Sequence, residues 1–117
     1  MITAPLLQVV EQAGEAVMVL VDGITDDEFR RSRLTRHEVR RQLLLIAGTL
    51  AGMPQQARAA MPEVDWVGWT QIGRLLAGAD AFDDDAWFAA RAAVPALLSW
   101  LRVYRRAEPA LFAFRAD

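Results

Sequence analysis

The sequence holds no cysteine, no lysine, one histidine and one tyrosine in 117 residues. Without cysteine there is no disulfide, no thiolate metal site and no thiol nucleophile, and a lone imidazole, His37, excludes a histidine-based metal cluster. Metal chemistry would need carboxylates alone, and no residue pattern implies a cofactor. All 13 basic side chains are arginine, a bias that reflects the base composition of a gene more than a demand for guanidinium groups. A basic leader is also missing. The opening stretch MITAPLLQVVEQAGEAVMVL is interrupted by Gln8, Glu11, Gln12 and Glu15, so it reads as neither signal peptide nor membrane span, and a cytoplasmic protein is expected.

What is present is apolar. Hydrophobic residues make up 54% of the chain and charged ones 24%, above the roughly 45–50% apolar content of an ordinary soluble domain. The excess points to a subunit interface. A net charge of −2 gives no global attraction to phosphate backbones, so RNA binding by the whole surface is not favoured. The length fits a single domain over residues 1–117, with an apolar extension over 107–117.

No window alternates apolar and polar residues between hairpin turns, and no strand is expected. Helical spacing runs through the chain instead. Leu6, Val10, Ala13, Val17 and Leu20 predict a helix over 4–22 that stops at Gly23. The TDDE box, Thr25 to Glu28, opens a short helix carrying Phe29, and a second box, Thr35 to Glu38, predicts the start of a long helix through Val39, Leu43, Ile46, Ala47 and Leu50. Pro54 and Pro62 divide the next stretch into a short helix and a turn, before a helix over 66–79. Asp83, Asp84 and Asp85 suit a helix N-terminus, ahead of a long helix from Ala86 to Arg106 that buries Trp87, Val94, Leu98 and Leu101 and bends near Pro95. The fold class is therefore all-α, an antiparallel bundle of four or five helices.

Few residues carry chemistry. Arg30, Arg31, Arg33, Arg36, Arg40 and Arg41 crowd a dozen positions and would suit phosphates, a nucleotide or an acidic partner. Asp26, Asp27, Glu28 and Glu38 lie among them and blunt that field. His37 stands in the first turn of its predicted helix, where side chains usually face water. Gly48 and Gly52, four apart, would let a second helix approach closely. Trp66, Trp69, Trp87, Trp100 and Tyr104 have the spacing of core aromatics more than of a base-stacking platform.

The order of these segments resembles the HepT family of the HEPN superfamily, helical toxins usually encoded beside a minimal nucleotidyltransferase antitoxin. GITDDEF resembles the family's turn and short helix after the first helix, and RRQLLLIAGTLAGMP its long second bundle helix. PEVDW resembles a Pro-x-x-x-Trp loop, and WFAARAAVPAL the start of the last helix. The resemblance implies a helical bundle that pairs as a homodimer, and in ribonucleolytic members an Arg-x4-6-His motif followed by Tyr. The chemistry needs a cation for the crowded phosphorane and a group that exchanges protons near neutrality.

At the matching positions this chain carries Leu75 for the arginine, Asp80 for the histidine and Phe82 for the tyrosine. The stretch DWVGWTQIGRLLAGADAF contains no His and no Tyr in any register, and Arg74 lies one position from the expected arginine, about 100° around a helix. An aspartate with an ordinary pKa of about 4 is ionised at pH 7 and has no proton to donate. The expected function is thus a HepT-like bundle without ribonuclease activity, acting through a nucleotidyltransferase-like partner or a nucleotide, with the arginine cluster and Arg74 as contacts. Two rivals stand beside it. One is a divergent metal-independent endoribonuclease using His37, with Arg74, across a dimer interface; the other is a structural or regulatory subunit.

Overall fold

The computed structural model describes residues 3–78 and 83–114. These form an all-α bundle: α1 (Thr3–Val21), α2 (Asp26–Arg31), α3 (Arg33–Ala51), α4 (Gln55–Ala60), α5 (Trp66–Ala77), α6 (Asp83–Phe88), a π-helical turn (Ala89–Ala93), α7 (Val94–Ala107) and α8 (Pro109–Phe112). α6, the π turn and α7 are continuous and make one long helix over 83–107.

α1 is the centre of the bundle. At 19 residues and mean hydropathy 1.3 it is long and apolar enough to cross a membrane. In this fold Leu7, Val10, Ala13, Val17 and Val21 lie in the core, and Gln8, Gln12 and Glu15 occupy the exposed side. α1 packs along α3 on one flank and against the π turn, α7 and α8 on the other. Gly14 permits the second contact, since a Cβ there would lie 2.9 Å from Leu98 Cδ2. Gly23 ends the segment with a φ of 73°, a left-handed conformation that costs other residues about 1–2 kcal/mol.

The first capping box forms as expected: Thr25 accepts from the Glu28 amide, and Glu28 accepts from the Thr25 amide. The second does not. α3 begins earlier, at Arg33, with Ser32 as its cap accepting from the Thr35 amide at 3.3 Å. Thr35 instead accepts from the Ser32 hydroxyl at 2.8 Å, and Glu38 turns to Arg41 and Gln42. A hydroxyl three residues upstream was available to cap, and the helix took the extra turn.

Two further expectations change. Gly48 has open space around it, and Gly52 ends α3, so neither seats a neighbouring helix within the chain. The close contact between α3 and α5 is made by Gly73, where a Cβ would lie 3.1 Å from Ala47 Cβ. Trp69 and Tyr104 are core residues and Trp66 and Trp87 are half-buried, but Trp100 is 38% exposed. The disturbance at Pro95 takes the form of the π turn, in which the Val94 amide donates to the Ala89 carbonyl five residues back. Proline has no N–H and its ring crowds the carbonyl four residues earlier, and a wider turn relieves that crowding. The apolar extension folds back: Phe112 is buried, with α8 against α1 and α7.

Candidate functional site

The arginine cluster is largely neutralised by the protein's own groups. Arg30 pairs with Asp26 at 2.9 Å and also with Asp84, and Arg31 pairs with Asp27. Arg36 lies 3.5 Å from Asp83 and donates to the Arg30 carbonyl. Arg41 holds both oxygens of Glu38, at 2.6 and 3.0 Å. The local carboxylates account for part of this; Asp83 and Asp84 come from the start of α6, a pairing across elements that spacing along the chain does not reveal.

Arg40 does something different. Its Nε donates to the Leu76 carbonyl at 2.7 Å and its terminal nitrogen to the Gly78 carbonyl at 3.2 Å. A cation at the negative end of α5 also answers the helix dipole. Arg40 thereby ties α3 to the C-terminus of α5. Arg33 has no ion pair among the described residues.

His37 is exposed and lines a hollow of about 190 Å³ with Arg33, Arg36, Arg40, Asp83 and Ala86. The fold therefore brings the imidazole beside three of the six clustered arginines. Arg74 does not line this hollow; it is exposed on α5 without an ion pair among the described residues. Asp80 and Phe82 lie outside the described residues.

Leu75 belongs to a second feature. A groove of about 430 Å³ runs between α5 and the long helix, lined by Ile72, Leu75, Leu76, Phe88, Ala92 and Ala93, with Asp65 and Asp85 also on its walls. A smaller hollow of about 110 Å³ extends it past Trp69, Ala96 and Trp100. The groove exists because α5 packs along α3 but meets the long helix chiefly at α6. Of the apolar residues on α5 only Trp69 and Leu76 are buried; Leu75 is 51% exposed, Val67 69% and, across the groove, Phe88 65%. The α5 helix is legible in the sequence, but that Leu75, Phe88 and the alanines of the π turn face a common groove is not, because nothing local marks them as surface.

Comparison with protein-family models, curated proteins and solved structures finds no match to this chain.

Proposed function

We propose that this chain is a HepT-like helical bundle without ribonuclease chemistry that works by binding, seating a protein partner in the groove between α5 and the long helix. The partner class implied by the resemblance is a minimal nucleotidyltransferase, and the same resemblance makes the bundle a homodimer, which sedimentation reads as the mass of two chains. One observation carries the reading: the groove presents Leu75, Ile72 and Phe88 rather than cations and a proton-transfer group. Contiguous apolar surface exposed on a folded domain is characteristic of interaction sites. The test is incubation of the purified protein with labelled single-stranded RNA, with and without magnesium, scoring cleavage and binding separately. The expected result is no cleavage above a buffer control.

A second reading rests on the hollow around His37, where an imidazole and the guanidinium of Arg33 would together suit a phosphate. It gives a nucleotide- or RNA-binding site, and in its strongest form a divergent ribonuclease. RNA cleavage that disappears in His37→Ala and survives Leu75→Gln establishes this second reading and removes the first.

A further inference from the structure

The groove has a shape and a charge, and together they narrow what fits it. Its walls are two helices, and the small residues Ala92 and Ala93 on the long helix let a third backbone come close. It follows α5, 12 residues long, for about three helical turns. An apolar slot of that length between two helices is the setting in which an amphipathic helix lays down a stripe of side chains at positions i, i+3, i+4 and i+7. Filling the slot would cover the face of α5 that its contacts with α3 and α6 leave open.

The rim supplies the sign. Asp65 caps the start of α5 and Asp85 lies in the first turn of α6, so the two carboxylates stand toward opposite ends of the groove. Among the described residues no arginine lines it and neither aspartate is in an ion pair. Asp83 and Asp84, by contrast, are matched to Arg36 and Arg30. Both carboxylates sit at the positive start of a helix, Asp65 accepting from the Gly68 amide and Asp85 in the first turn of α6, so each field is partly offset at its own end of the groove. Nucleic acid, anionic lipid and acidic peptides are disfavoured by such a rim, while a cationic guest is drawn to it.

We infer that the occupant is an amphipathic helix of another protein, apolar along one stripe and carrying Arg or Lys at both ends of it, roughly ten positions apart. This rests on the protein-docking reading above and sharpens it. The experiment titrates the full chain into three labelled synthetic helices of about four turns. All share a leucine stripe and differ only in having Arg, Gln or Glu at the two flanking positions, and binding is read by fluorescence anisotropy. The Arg helix is expected to bind about tenfold more tightly than the Glu helix. That preference should shrink in high salt and fall about fivefold in the Asp65→Asn, Asp85→Asn double variant, which removes both charges while keeping the α5 cap, since an asparagine side chain caps as well as an aspartate. Leu75→Gln, at a half-exposed position, should weaken the Arg helix about tenfold with the fold intact.

Equal binding of all three helices overturns the charge argument and leaves protein docking standing. If no helix binds, or if Leu75→Gln changes nothing, both fall. A homodimer that dissociates in Leu75→Gln identifies a second copy as the occupant and overturns the inference about a foreign helix.

Discussion

Glu38 shows how a residue suited by the sequence to one task is used for another. Its carboxyl receives Arg41 on both oxygens and Gln42 on one, and these hold it at about 2, down from 4.5, with the Arg41 hydrogen bonds the larger influence. A carboxyl depressed by folding adds stability above its unfolded pKa and loses it as pH falls toward the folded value. The melting temperature of the wild type relative to Glu38→Gln should therefore be highest above about pH 4.5 and converge with it by about pH 2, read by circular dichroism across that range. The pair is on the surface, so the difference should also shrink in high salt. The same guanidinium is a candidate ligand-binding group in the sequence. In the fold Arg41, like Arg30, Arg31 and Arg36, already has an anionic partner.

Most of the helices are readable from the sequence, because their signals are local. The stripes of α1 and α3, the box at Thr25, the two prolines around α4 and the acidic start of α6 each lie within a few residues of the feature they specify. The start of α3 is not, because two hydroxyls three residues apart both suit a cap, and only the geometry of the preceding turn chooses between them. Ser32→Ala should thus cost about 1 kcal/mol in urea unfolding, and Thr35→Ala distinctly less; the reverse order would restore Thr35 as the cap. The π turn illustrates the limit of periodicity: Pro95 announces a disturbance, but whether the helix kinks or widens depends on packing against α1 and α3. Tertiary pairs such as Arg40 with the end of α5, 36 and 38 residues apart, leave no mark in a local window.

At the scale of the whole molecule, the bundle closes on one side and stays open on the other. On the closed side Arg105 lies 2.5 Å from Glu11 and 4.6 Å above the Phe112 ring, clamping α8 onto α1 and α7. Phe112→Ala should cost about 3 kcal/mol and lower the melting temperature by about 10 °C, measured by calorimetry, because it empties a site that nothing else fills. The open side is half visible in the sequence, as an apolar helix over 66–79. The other half depends on how far the long helix diverges from α5, a distance no spacing encodes. Trp69 and Trp100 border the extension of that opening, one buried and one partly wet. Indole emission shifts to the blue when water leaves its surroundings. A guest reaching that far along the cleft would thus announce itself in the intrinsic spectrum, and candidate partners can be screened against the unlabelled protein.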